Sequence, residues 1–117
     1  MKERNQYKML NQVVLVGRLT KEPEFIELEN GKKVLNVLLA VPRSYKNENG
    51  EYDTDFIDCV LWEALAENTT EYCHKGDMVG IKGRVNTEYY EKDEDKIKIT
   101  NIIAEKVTFL SNKKENL

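Results

Sequence analysis

Only one segment of this chain, residues 63–76, carries helical spacing, and it sits between runs that all read as strand. That placement constrains the fold more than any other feature. Leu65, Thr69, Tyr72 and Cys73 recur there at helical intervals, alanine, leucine and glutamate dominate its start, and Lys75-Gly76 supplies a cation and a helix-ending glycine. Ahead of it, residues 12–19 are rich in β-branched side chains, with Gly17 marking a bulge or bend. Residues 25–28 alternate apolar and acidic, Asn30-Gly31 is a hairpin turn signal, and residues 34–41 form a second long apolar strand that Pro42 ends. Residues 47–53 are a polar loop, and residues 55–62 are a third strand. Behind the helix come a fourth strand at 78–90, bent at Gly80 and Gly83, an acidic loop at 91–95, and a fifth strand at 96–110.

Five strands with one helix between the third and fourth is the order of an all-β, closed oligonucleotide- and oligosaccharide-binding (OB) barrel, in which the helix plugs one end. Neither a β-sandwich nor a helix bundle predicts that order. At 117 residues the chain holds one such domain, able to bury roughly two-thirds of its unfolded surface. Residues 1–8 lack apolar periodicity and read as a flexible arm, with Met9 standing as an alternative start; residues 9–110 are the barrel and residues 111–117 a polar tail. No run approaches the ~20 apolar residues of a membrane span, and the polar start lacks the core of a signal peptide, so a cytoplasmic protein is expected. Cys59 and Cys73 are spaced neither as a redox pair nor as zinc ligands and read as two unlinked buried thiols.

Aromatic and basic residues interleave along the strands. Arg18 closes the first, Arg43, Tyr45 and Lys46 follow the second, Phe56 and Trp62 lie on the third, and Lys82, Arg84, Tyr89 and Tyr90 lie on the fourth. A barrel can bind a single strand by placing cations along phosphates and flat rings under bases, at ~1–3 kcal/mol per stacked base. The two-residue period puts Phe56, Asp58, Val60 and Trp62 on one face and the apolar Ile57, Cys59 and Leu61 on the other. The second set is core, so two large rings face solvent. The same alternation sends Lys82, Arg84, Asn86, Glu88 and Tyr90 outward and Val79, Ile81, Val85 and Tyr89 inward, which makes Tyr90 the better stacking candidate and Tyr89 a core or strand-edge residue. Tyr7, Tyr52 and Tyr72 read as packing residues, and His74 as a solvated residue at the helix end. No motif pairs His74 with a Ser or Cys nucleophile, and no metal-ligand set, calcium loop or phosphate-binding glycine loop is present, so neither catalysis nor a cofactor is expected.

Charge enters last because its placement matters more than its sum. Eighteen basic against 21 acidic residues leave a net charge of −3, which taken whole argues against a nonspecific nucleic-acid binder. Many of the acids nevertheless cluster away from the strands, as Glu48, Glu51 and Asp53, as the 91–95 run, and as Glu63, Glu67 and Glu71. The bases on the second and fourth strands remain as a local track.

The runs 11–24, 39–45, 54–62, 66–68, 75–76 and 83–87 follow in the order and spacing of bacterial single-stranded DNA-binding proteins, and the chain resembles that family over about residues 9–110. The resemblance implies a homotetramer of barrels that wraps single-stranded DNA without sequence preference in replication, repair or recombination. It implies stacking by Tyr45, Phe56, Trp62 and Tyr90, and backbone contacts by Arg18, Arg43, Lys46, Lys75 and Arg84, followed by Lys33 and Lys82. Glu88 and Ile26 stand where the family commonly has arginine, which thins the cationic track. The sequence closes on Lys113-Lys114-Glu115-Asn116-Leu117 in place of the family's long linker and acidic tip, so recruitment of other proteins through such a tip is not expected. A short form of this kind suggests an accessory copy, serving DNA uptake or carried on a plasmid or phage. A barrel that mediates protein contacts in replication restart is the competing expectation.

Overall fold

The structure, a computed structural model, describes residues 9–111, so the expected arm and nearly all of the expected tail lie outside the described residues. Its elements run β1 (Val13–Leu19), β2 (Ile26–Glu27), β3 (Lys33–Lys46), β4 (Tyr52–Trp62), α1 (Ala64–Tyr72), β5 (Met78–Lys92) and β6 (Asp95–Phe109). Neighbours in the sheet are β1-β5-β6-β4-β3-β2. The five long strands close because β1 also pairs with β3, Arg18 opposite Ala40 and Leu19 opposite Leu39. All pairings are antiparallel except β4 with β6, where Cys59 lies opposite Ile102 and Val60 opposite Ile103. This is the OB barrel, with the helix between the third and fourth of the long strands as the sequence order requires.

The core is built by alternation. Leu19, Leu35, Val37, Leu39, Leu61, Val79, Ile81 and Ile102 turn inward, each fully buried aliphatic side chain stabilising the fold by about 1.5–3 kcal/mol. From α1, which packs on β3, β4 and β6, fully buried Ala66 brings the helix close to the barrel end. The helix stops at Tyr72 and Cys73 is already extended, so Gly76 is not its cap. Gly76, at φ 91°, instead makes the turn that docks on β1, its N–H donating to the Leu19 carbonyl at 2.8 Å.

Other boundaries also differ from the sequence pattern, β4 already beginning at Tyr52 inside the expected 47–53 loop. Residues 25–28 shrink to the two-residue β2, while Phe25 N–H donates to Thr70 Oγ1 at 3.2 Å and ties the segment to the helix. Strand β3 passes through Pro42 and reaches Lys46, so Tyr45 and Lys46 lie on a strand and not in the loop after it. Proline is tolerated because β1 pairing ends at Ala40 and no partner on that side needs its missing N–H. Finally, the acidic loop at 91–95 is mostly strand. Only Asp93 and Glu94, both at positive φ (54° and 70°), make the turn, and such a two-residue mirror-image turn matches the twist of the flanking strands.

Two hairpins therefore outrun the barrel. Gly83 of β5 still lies opposite Val13, the first residue of β1, but from Arg84 onward β5 pairs with β6 alone, and β6 meets β4 only at Ile102 and Ile103, so beyond Val85 and Ile102 the two strands have only each other. Between Lys82, opposite Lys106, and Gly83, opposite Ala104, Glu105 is an extra residue in β6. Gly83 is required at this irregularity, since a Cβ would run into the Ile103 carbonyl. Beyond it, Asn11 replaces a strand partner: its Nδ2 donates to the Val85 carbonyl at 2.8 Å and its Oδ1 accepts from Val85 N–H at 2.7 Å.

Candidate nucleic-acid interface

Strand β4 presents Phe56 and Trp62 outward, 60% and 37% exposed, while Cys59 and Leu61 beside them are buried. The register decides what surrounds each ring. Phe56 lies opposite small Ala40 and Trp62 opposite Val34. Phe56 and Trp62 are six steps apart along the strand, roughly 20 Å. Between them, Asn36 and Ile103 lie opposite Val60 on its two sides, and Ile103 lies opposite Arg84. One row across four strands thus brings Arg84 to the face that carries the rings.

Arg84 begins a short polar chain along β5. Its Nη1 donates to Asn86 Oδ1 at 3.4 Å, and Asn86 Nδ2 donates to Glu88 Oε2 at 3.1 Å and to Asn101 Oδ1 at 3.2 Å. Glu88, the acid least compatible with a bound polyanion, is tied to Asn86 rather than set alone. Tyr90, 46% exposed, continues this face opposite Ile97.

On the β3–β4 hairpin, Tyr45 is exposed, Lys46 Nζ lies 5.8 Å from the centre of the Tyr52 ring, and Arg43 is engaged by acids. Arg43 Nε and Nη2 both donate to the Asp55 carboxylate, and Nη1 is 3.8 Å from Asp53 Oδ2. The Asp55 hydrogen bond and charge raise the Arg43 pKa, and Arg43 in turn holds the Asp55 carboxyl below its ordinary range. The turn between the strands is closed by Asn47, whose Oδ1 accepts from Asn49 and Glu51 N–H at 2.8 and 3.0 Å.

The remaining cations divide. Lys33 Nζ pairs with Glu67 of α1 at 2.9 Å, and that carboxylate raises its pKa. Arg18 Nη1 donates to the Gly76 carbonyl at 2.9 Å, beside Lys75. Lys75 is held through its backbone, its N–H donating to Glu22 Oε1 at 3.0 Å while Glu22 Oε2 meets His74 Nδ1 at 2.8 Å. His74 is thus exposed but tethered. Lys82 is exposed opposite Lys106, so two like charges stand side by side on adjacent strands. A cleft of about 370 Å³ opens beside β3, lined by Asn36, Leu38 and Asp58 together with Glu22 and Glu24, and its acids make it a poor seat for phosphate.

The structure therefore brings Phe56, Trp62, Arg84 and Tyr90 to one face, carries Tyr45 and Lys46 on a hairpin, and binds Arg43 and Lys33 to acids. Sequence reasoning missed Lys106, which only the β5–β6 register sets beside Lys82, and Tyr52, which only the hairpin register sets under Lys46. It also turned Tyr89 and Val85 inward, whereas they are 64% and 39% exposed, because the hairpin has left the barrel and none of the described residues covers that face. Tyr72 is exposed as well, its ring 6.0 Å from that of Phe109. Among the described residues no three His, Cys, Asp or Glu side chains converge to hold a metal ion, and no helix is long and apolar enough to cross a membrane.

Comparison with known proteins matches residues 10–110 to the model of the single-strand binding protein family. Single-stranded DNA-binding protein B of Bacillus subtilis is 46% identical over 106 residues, which are 90% of this chain and 94% of that protein. Single-stranded DNA-binding protein 2 of Listeria monocytogenes is 46% identical over 110 residues, 93% of this chain and 69% of that protein. Among solved structures, a deletion mutant of the single-stranded DNA binding protein from Thermus aquaticus superposes with a TM-score of 0.73 at 28% identity, covering 87% of this chain and 51% of that one.

Proposed function

The chain belongs to the single-strand binding protein family, and we propose that it binds and protects single-stranded DNA without regard to sequence, in replication, repair, recombination or DNA uptake. The observation that carries this reading is the single face on which Phe56 and Trp62 stand exposed with Arg84 in the adjoining row. Rings take bases and cations take phosphates; neither interaction reads a base edge. With a net charge of −3, long-range attraction contributes little and stacking carries more of the affinity. The role is binding, with no chemical step, and the proposed compartment is the cytoplasm, where replicating bacterial DNA lies.

We further propose that copies of the chain assemble, into a tetramer. Residues Val13 to Val16 pair only with β5, so the second edge of β1 has no partner among the described residues, and Val14 and Val16 are exposed there at 70% and 48%. An open, apolar strand edge invites a further strand.

The test is fluorescence anisotropy of a labelled ~35-nucleotide oligo-dT titrated with the full chain at rising salt. Binding at low salt is expected, with log affinity falling against log salt by about 0.7 per phosphate neutralised. An unchanged anisotropy at low salt and micromolar protein would remove the reading.

A further inference from the structure

Beyond Gly83 the two faces of the β5–β6 hairpin differ in charge. Arg84, Glu88, Lys92 and Asp95 lie on the Tyr90 side and balance, Asp95 opposite Lys92 and Glu88 opposite Ile99. The other side carries Tyr89 directly opposite Lys98, with Glu91 opposite Lys96 next toward the tip. Near the root of the hairpin this second face is the barrel interior, since Ile102 is buried. Farther out no sheet among the described residues packs on it, and Tyr89 is 64% exposed, more than the 46% of Tyr90. Lys98 has no ion pair among the described residues. An exposed ring flanked by two lysines and one acid complements a flat base between two phosphates. A second copy of the chain seated there would desolvate both lysines against one carboxylate, and lysine is depleted from the centres of protein interfaces for that reason.

We propose that the Tyr89–Lys98 face is a second contact surface for single-stranded nucleic acid, Tyr89 stacking on a base while Lys98 and Lys96 neutralise the adjoining phosphates. A bound strand thereby engages both faces of the hairpin, and the reverse side adds cations to those, Arg84 and Lys92, that flank Glu88 on the first. The proposal rests on the function read above.

The experiment compares wild-type chain with Tyr89→Leu and Lys98→Gln, each full length, using labelled ~35-nucleotide oligo-dT across a salt series, together with mass in solution and melting temperature. Tyr89→Leu is expected to weaken binding at least about fivefold, and Lys98→Gln to flatten the salt dependence by about 0.7, with mass and melting temperature unchanged. Wild-type affinity and salt dependence in both variants overturn the proposal and leave the proposed function standing. A wild-type chain that fails to bind oligo-dT overturns both. Weakened binding together with a lower mass in solution makes this face a contact between copies and overturns the proposal. As a readout that needs no variant, ultraviolet cross-linking of the wild-type chain to an oligo-dT carrying 5-iodouracil is expected to label Tyr89, and labelling confined to the rings of the opposite face counts against it.

Discussion

Arg43 and Asp55 face each other across the β3–β4 hairpin, with Arg43 Nη2 2.9 Å from Asp55 Oδ1 and Nε 3.2 Å from Oδ2. The guanidinium fork that would clasp a phosphate is already clasping a carboxylate. Replacing Asp55 by asparagine frees it. Asp55→Asn is expected to tighten binding of oligo-dT at low salt and to steepen the salt dependence by about 0.7, measured by anisotropy. An unchanged slope means that Arg43 lies off the path of the strand. The same pair sets a pH response. Its partner depresses the Asp55 pKa in the folded state, so the pair stabilises the fold above the ordinary carboxylate range and ceases to do so as pH falls through the depressed value.

Trp62→Ala and Phe56→Ala remove rings that stand on the outer face of a strand whose other face, at Cys59 and Leu61, is buried. Each is expected to cost ~1–3 kcal/mol of DNA affinity while leaving the melting temperature within a few degrees of wild type. Calorimetry and anisotropy on the same preparations separate the two effects. Loss of cooperative melting would make the ring a core residue.

Gly83→Ala acts on the fold alone. The added methyl meets the Ile103 carbonyl, and the neighbouring Cα of Ala104 lies 3.1 Å away, so backbone must move on both strands. Overpacking of this kind costs about 1–3 kcal/mol, visible as a lower urea midpoint. Gly80→Ala meets nothing closer than 3.7 Å and serves as the control.

Cys59 and Cys73 are 1% and 2% exposed, and burial, then the Asp58 charge, pushes the Cys59 thiol up from 9.0 to about 12. Both thiols should resist a disulfide reagent at neutral pH until the chain unfolds. For Cys59 the folded pKa exceeds the unfolded one, so its contribution to stability is complete below pH 9 and is lost as pH rises toward 12. Reaction of either thiol within seconds in native buffer would contradict this.

Much of the barrel was legible because its strands alternate and its only helical segment falls at a fixed place in their order. The alternation on β4 sorted Phe56 and Trp62 from Cys59 and Leu61 correctly, since the core covers one side of that strand from Ile57 to Leu61. The same rule failed at Tyr89 because its premise, a covered inner face, ends at the barrel rim, and the rim is fixed by where β1 starts. Pro42 misled for a related reason: whether proline ends a strand depends on a partner on its N–H side, here β1, which has already departed. The Arg43–Asp55 pairing is diagonal, since Asp55 lies opposite Val41, and it falls where the register shifts between Pro42 and Lys46, which no local pattern announces.

Val14→Lys places a charge on the open edge of β1, where Val14 is 70% exposed and its loss leaves no cavity. The variant should melt as a folded chain yet show a smaller mass in solution than wild type by light scattering. Equal masses would move the assembly surface elsewhere.

That edge also limits how far assembly through it can go. A strand that runs antiparallel to its own image is related to it by a two-fold axis, and once two β1 edges have met, neither has an edge left to offer. The contact is self-terminating: it yields pairs and cannot propagate into a fibre. An assembly of four copies therefore requires a second, different patch with its own axis, and an odd number of copies would leave one β1 edge open to solvent.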